Sequence, residues 1–490
     1  MASGDGTPEQ LLEKADRWRE VIGGSVHDSV TASIYTTASQ VASEVVTTES
    51  DADKSSAVSW LDRLVTSRLL GVPFMVALLA AVLWLTIVGA NIPSGFLAGL
   101  LMEEGGLASW CHEVLGVTLP ASVSVSLLEL LRQAFTALHS PWWLTGFLVD
   151  GVYLGLAWVV SVMLPPMAIF FPLFTLLEDL GLLPRLAFNM DRYFRRVGGS
   201  GKQALTMAMG FGCNAAGVVA CRIIRSPREK LIAILTNNFV PCNGRWPTLI
   251  MAASLFVAAG YSAVSMALVS AVAVTVVALI GILATGLVSL LLSKTLVKGV
   301  PSSFALELPP YRRPQILRVL YTSFIDRTLS VLWRAVVCAA PAGGLIWLLH
   351  AIPVGQGNLF DTIAAILDPV GRAIGLDGII LLAFIFAIPA NEIVIPTVIM
   401  GYMSLGHMAE IDNPALLFRE NGWTILTAVC LMLFSVLHYP CTTTSWTIWA
   451  ETRSVKWTLL ANLLPLVLAM AVCFMVAQAG FRFESVLDMF

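Results

Sequence analysis

Two cysteines sit inside apolar, membrane-length stretches beside helix-breaking residues, in Gly210-Phe211-Gly212-Cys213-Asn214 and in Pro241-Cys242-Asn243-Gly244-Arg245. A third, Cys441, follows Pro440 in a comparable setting. A broken helix frees backbone carbonyls, which are tolerated at membrane depth only where protein buries them or a polar cavity receives them. A thiol at such a break suits iron(II), zinc or copper(I), whereas magnesium and calcium prefer oxygen. Cys213, Cys242 and Cys441 are therefore candidate metal ligands on a permeation path, with Asn214 and Asn391 beside them as further candidates. Glu392 lies within the run Phe384 to Met400, between Pro389 and Pro396. An ionisable residue there is costly, so it is expected to supply an oxygen ligand or carry a proton; the competing role is as a structural partner of Arg245. Cys111, Cys221, Cys338, Cys430 and Cys473 read as small buried hydrophobes. His438 would share a helix face with Cys441 only if the helix continued through Pro440.

The elements that must position these residues are membrane helices. Apolar residues make up 57% of the 490-residue chain and charged residues 12%. Several uninterrupted runs reach the roughly 20 residues that span a bilayer. The fold class expected is all-α, a polytopic membrane helix bundle with two gate-type repeats that contain broken or re-entrant helices. The net charge of -3 gives no argument for nucleic-acid binding. The eight cysteines include no CxxC pair, which excludes a disulfide framework and argues against a thiol oxidoreductase.

Residues 1–55 carry ten acidic and four basic side chains, lack a cleavable signal, and show helical periodicity from Leu11 to Ile22. They form a short soluble segment, followed by a transport domain over 56–490. Spans are expected at about 71–92, 144–164, 166–184, 231–256, 263–293, 334–352, 378–402, 422–440 and 457–478, with an amphipathic piece from Val125 to Leu138. The first gate covers about 144–293 and the second about 334–478. Basic residues flank the apolar stretch 203–221 at both ends, from Arg185 to Lys202 and from Arg222 to Lys230. By the positive-inside rule this stretch enters and leaves on the cytoplasmic side as a re-entrant hairpin. A crossing at 166–184 would, however, put Arg185 on the wrong side.

The chain also contains an internal echo. Cys213-Asn214 is followed by Pro241-Cys242 and Trp246, and Ala390-Asn391 by Pro440-Cys441 and Trp446. Duplicated broken-helix units are a common way to build a midplane site. Gly198 to Gln203 is not a phosphate loop, because Arg196 and Gln203 occupy positions that require Gly and Ser/Thr. The hydroxyls of Thr442 to Ser445 have no base arranged by spacing, so they are not nucleophiles.

Taken together, Leu177-Glu178-Asp179-Leu180-Gly181, Arg185, Ala187-Phe188, Met190-Asp191-Arg192, the two cysteine blocks, Pro389-Ala390-Asn391-Glu392-Ile393-Val394 and Pro440-Cys441-Thr442-Thr443-Thr444 resemble the membrane domain of the ferrous iron transport protein B (FeoB) family. The resemblance covers roughly residues 60–455. It implies two gates lining an iron(II) path, with Fe2+ as substrate and no permanently bound cofactor, in a multi-pass protein of the cytoplasmic (inner) membrane with its N-terminus inside. Family members usually begin with a GTP-binding domain, for which this sequence has no room. A separate cytoplasmic GTPase subunit docking on residues 1–55, a fragment, and GTP-independent transport all follow as options; a homo-oligomer is compatible with each. The expected function is ferrous iron import without catalytic activity. The alternative is a gate-type transporter of a nucleoside or other small organic solute.

Overall fold

The computed structural model describes residues 26–45, 65, 67, 70–102, 126–257, 263–297, 315–355, 357–403 and 414–487. The Leu11 to Ile22 periodicity, Cys111 and most of the segment 1–55 lie outside them. In chain order the helices are α1 (Val26–Val45), α2 (Gly71–Leu101), α3 (Leu127–Ala137), α4 (Trp142–Asp179), α5 (Leu182–Arg196), α6 (Lys202–Gly212), α7 (Asn214–Ala220), α8 (Pro227–Thr236) and α9 (Trp246–Ala252). They continue with α10 (Ala263–Lys294), α11 (Ile316–Ala351), α12 (Leu359–Ala373), α13 (Gly378–Phe386), α14 (Val394–Met403), α15 (Pro414–Glu420), α16 (Ile425–Leu437), α17 (Thr442–Thr452) and α18 (Val455–Leu487). A two-residue antiparallel ladder, Pro353–Val354 against Gly357–Asn358, joins α11 to α12. Among the described residues six helical segments are long and apolar enough to cross a membrane, or seven if the pair α12 and α13, bent by 109°, counts as one. The all-α polytopic bundle is thus the architecture found.

Helix starts follow ordinary capping chemistry. Ser126, Ser226, Asn358, Asp377 and Thr424 each accept a first-turn backbone N–H from α3, α8, α12, α13 and α16. The long helices are instead held by their apolar faces. On α10, Leu268, Val272, Val276, Leu279, Leu283 and Leu287 form an exposed stripe, while Val274, Val277, Ala284, Val288 and Leu292 are buried on the other side. Such a division is expected of a helix with protein on one side and lipid on the other.

Several boundaries differ from those expected. The two spans at 144–164 and 166–184 are one helix, α4, which runs through Pro165, Pro166 and Pro172 and contains a π-helical segment, Gly146–Tyr153. Proline is tolerated there because neighbouring helices and local adjustment satisfy the freed carbonyls. Gly181, in the left-handed region at φ 79°, then turns the chain into α5. A single crossing also removes the conflict over Arg185, which now follows the crossing on the basic side. The span expected at 334–352 begins earlier, at Ile316, through another π-helical segment, Ser323–Leu329. The spans at 231–256 and 378–402 are both interrupted in the middle, and that at 422–440 continues beyond its break as α17. Helix α12 was not anticipated.

The stretch 203–221 is a hairpin. Gly217 packs on the carbonyl of Thr206, eleven positions back, and Lys202 Nζ donates to the carbonyl of Ile223 at 3.0 Å. In a continuous helix those positions would lie about 16 and 31 Å apart at 1.5 Å per residue. Behind the hairpin, Gln203 donates to Thr236 and Ser289, both at 3.0 Å, and so fixes it to α8 and α10.

Helices α4 and α11 cross on glycines. A Cβ on Gly151 or Gly155 would meet the backbone of Gly343 and Gly344, and a Cβ on Gly343 would meet Gly151. Small residues allow this close approach, which is a main source of helix association in lipid. Gly343→Leu should therefore destabilise the chain by about 1–3 kcal/mol, the usual cost of overpacking. Thermal unfolding in detergent checks this, with Gly286→Leu, which projects into open space, as the silent control; equal midpoints for the two variants would contradict the assignment.

Candidate functional site

The functional side chains are placed by two similar broken-helix units, one formed by α6 to α9 and the other by α13, α14, α16 and α17. The similarity extends to backbone angles. Cys213 has φ -153° and ψ 123°, Ala390 has φ -153° and ψ 121°, and each precedes the asparagine that starts the next helical turn. Cys242 (φ -84°, ψ 170°) and Cys441 (φ -63°, ψ 161°) each follow proline and start a helical turn as extended residues. The internal echo therefore has a structural counterpart. The second unit carries Ala390 where the first has Cys213, so the pair supplies three thiols.

Arg245 joins the units. Its side chain is buried, at 1% exposure, yet among the described residues no carboxylate pairs with it. One guanidinium nitrogen donates to the carbonyls of Asn238 (2.8 Å) and Val436 (2.9 Å). The other donates to Asn238 Oδ1 (3.1 Å), Tyr439 O (3.2 Å) and His438 O (3.4 Å). Asn238 Nδ2 also donates to His438 O at 2.6 Å. Three of these five acceptors, the carbonyls of Val436, His438 and Tyr439, are left unpaired where α16 ends, so a cation from one unit satisfies the break of the other. Within each unit the remaining breaks are closed in the same manner. Asn214, with its amide oriented to satisfy both ends, donates to Gly210 O and Val240 O, both at 3.2 Å, and the backbone N–H and hydroxyl of Thr442 donate to Ile388 O at 2.7 and 3.1 Å.

The breaks enclose a cavity of about 30 Å³. All six residues singled out from the sequence, Cys213, Asn214, Cys242, Asn391, Glu392 and Cys441, line it. Asn391 Nδ2 lies 3.9 Å from Cys242 Sγ, and Cys441 Sγ lies 3.3 Å from Thr444 Oγ1. Glu392 makes no ion pair with Arg245, and its carboxylate sits against Gly244, where a Cβ would collide with it. Among the described residues no three His, Cys, Asp or Glu side chains converge closely enough to chelate an ion in this conformation. The donors line one chamber and come from both units.

Three other sequence positions fall elsewhere. His438 caps α16, with Nδ1 3.0 Å from Phe434 O and 2.9 Å from Ser435 O, and its ring packs on Phe384 rather than lining the cavity. Cys430 and Cys473 pack on each other, Cys473 Sγ lying 3.4 Å from Cys430 O. Sequence reasoning missed the walls contributed by α4 and α11, namely Met163, Met167, Val331 and Ala335. The available signal was the i, i+4 spacing of Met163 and Met167 about Pro165-Pro166. Val331 also lines a second, wider cavity of about 390 Å³ that holds Glu178, Arg222, Arg334 and Thr447. Beside it, Glu451 pairs with Arg222 at 2.6 Å and Lys230 at 3.2 Å, tying the basic ends of the two units together.

Removing the guanidinium would leave several buried carbonyls unpaired, each at a cost of about 1–3 kcal/mol. Arg245→Leu should accordingly abolish the folded, monodisperse protein, and Arg245→Lys should keep part of it. Size-exclusion profiles and thermal unfolding in detergent test this; a stable Arg245→Leu variant would show that the units are joined by other means.

The description "Nucleoside recognition" belongs to the Gate family model, which matches residues 160–256 and 332–454. The model described as "Ferrous iron transport protein B C terminus" matches residues 274–326, between the two. The chain is 28% identical over 448 residues to the Fe(2+) transporter FeoB of Staphylococcus aureus (strain MSSA476), covering 89% of this chain and 61% of that protein. Against the Fe(2+) transporter FeoB of Synechocystis sp. it is 28% identical over 72% of this chain and 55% of the relative. For the one from Methanocaldococcus jannaschii the figures are 27%, 69% and 50%. The chain thus spans about half to three fifths of the length of the curated relatives it matches. These matches make the chain similar to the membrane portion of ferrous iron transport protein B relatives.

Proposed function

We propose that this chain carries iron(II) across the cytoplasmic membrane through the cavity between its two broken-helix units, with Cys213, Cys242 and Cys441 as exchangeable ligands. The observation that carries this reading is the arrival of three thiols, Glu392 and two asparagines from both units in one small, buried chamber. A dication cannot enter hydrocarbon with its waters or without substitutes for them, so thiol, carboxylate and carbonyl donors replace the waters stepwise. Donors that form no converged chelate among the described residues bind weakly enough to release the ion, which suits a passage better than a storage site. Val331 then separates the chamber from the wider cavity on the basic side, the side that the positive-inside rule puts in the cytoplasm. In this reading the N-terminus is also cytoplasmic, and a separate GTPase docks on that face.

A volume of about 30 Å³ holds an ion and a water. Organic solutes need roughly 300 Å³ or more, so the chamber favours the ion over a nucleoside.

Uptake of iron(II) into proteoliposomes under reducing conditions tests the proposal. Cys213→Ser and Cys441→Ser should each lower the rate roughly tenfold or more, the scale on which metal sites respond to altered ligation. Cys430→Ser and Cys473→Ser, which lie away from the chamber, should be nearly silent. Wild-type uptake in the Cys213→Ser/Cys441→Ser double variant would refute the ligand assignment. Glu392→Gln should weaken divalent uptake and alter its pH dependence; an unchanged rate and profile would remove Glu392 from the path.

A further inference from the structure

Three thiols face the chamber, and two thioethers complete its wall. Met163 and Met167 stand four residues apart on α4, so they project from one face of it toward the breaks. Methionine often serves as an adaptable filler in apolar walls. Here, however, the wall it completes already carries Cys213, Cys242 and Cys441, and a leucine pair would fill the same space without donor atoms. Thioether sulfur is a soft ligand that ranks with thiolate in its preference for copper(I).

The donor set is therefore five sulfur side chains, one carboxylate, Glu392, and the neutral oxygens of Asn214, Asn243, Asn391, Thr443 and Thr444. Iron(II) is a borderline cation, and a soft closed-shell monovalent ion matches that set better. Such an ion also gives up its waters at a lower cost than a dication, which suits a chamber of about 30 Å³.

We propose that Met163 and Met167 are thioether ligands, and that the chamber binds copper(I) more tightly than iron(II), so that copper(I) competes for the passage. This inference rests on the reading of the chamber as a metal passage and adds a ligand pair and a substrate class to it.

The test uses the purified full chain in detergent under anaerobic, reducing conditions. Copper(I) affinity is measured by competition with a chromogenic copper(I) chelator, and iron(II) affinity is measured in parallel. Wild type should bind copper(I) more tightly. Met163→Leu/Met167→Leu should weaken copper(I) on the order of tenfold while changing iron(II) much less. Met432→Leu, buried in α16 away from the chamber, should alter neither. Copper-edge X-ray absorption of selenomethionine-labelled protein reads ligation directly, with a copper–selenium shell expected in wild type and absent in the double variant. Unchanged copper(I) affinity in the folded double variant, or the lack of that shell in wild type, would overturn the inference and leave the iron passage standing. Failure of wild type to bind either ion would overturn both.

Discussion

A helix broken at membrane depth leaves carbonyl oxygens that water does not reach, and this fold is organised around pairing them. Arg245 carries the largest share. Its guanidinium takes the carbonyls of Val436, His438 and Tyr439 at the end of α16, where the helix dipole is negative, together with Asn238 of its own unit. A buried cation is thereby stabilised without a carboxylate, and two chain segments about 190 positions apart are held together. Because Cys242 stands three residues before Arg245 and Cys441 two after Tyr439, the same contacts bring two of the three thiols, one from each unit, to one chamber.

Pairing by asparagine and threonine extends this arrangement to the other breaks. Asn214 closes Gly210 and Val240, and Thr442 closes Ile388. Once the carbonyls that need partners have them, the remaining space between the units is small and lined by sulfur and oxygen donors. One apolar side chain, Val331, lines both this chamber and a wider cavity, beside which Glu451 bridges Arg222 and Lys230.

Much of this chamber was legible in the sequence, because a thiol beside glycine, proline or asparagine in an apolar run is a local signal. The hairpin was legible too, through the basic residues at both of its ends. Proline misled as punctuation at Pro165 and Pro166, which lie inside α4, whereas Pro440 does mark the break between α16 and α17. Neighbouring helices supply the missing bonds, and no local pattern records that. Helix α12 escaped notice because Asp361, Asp368 and Arg372 interrupt its apolar run, although they belong to its polar side and cap. The competing role for Glu392, as a partner of Arg245, failed for a different reason. A sequence shows ionisable groups but not free carbonyls, which are the partners that Arg245 takes. The glycine crossing of α4 and α11 likewise depends on two segments far apart in the chain.

The central claim is that sulfur from both units holds iron(II) during passage, and iron-edge X-ray absorption of the iron(II)-loaded full chain tests it most directly. The account predicts an iron–sulfur scattering shell in wild type, lost in the Cys213→Ser/Cys242→Ser/Cys441→Ser variant while the protein remains folded. A first shell of oxygen and nitrogen alone, unchanged in that variant, would contradict it.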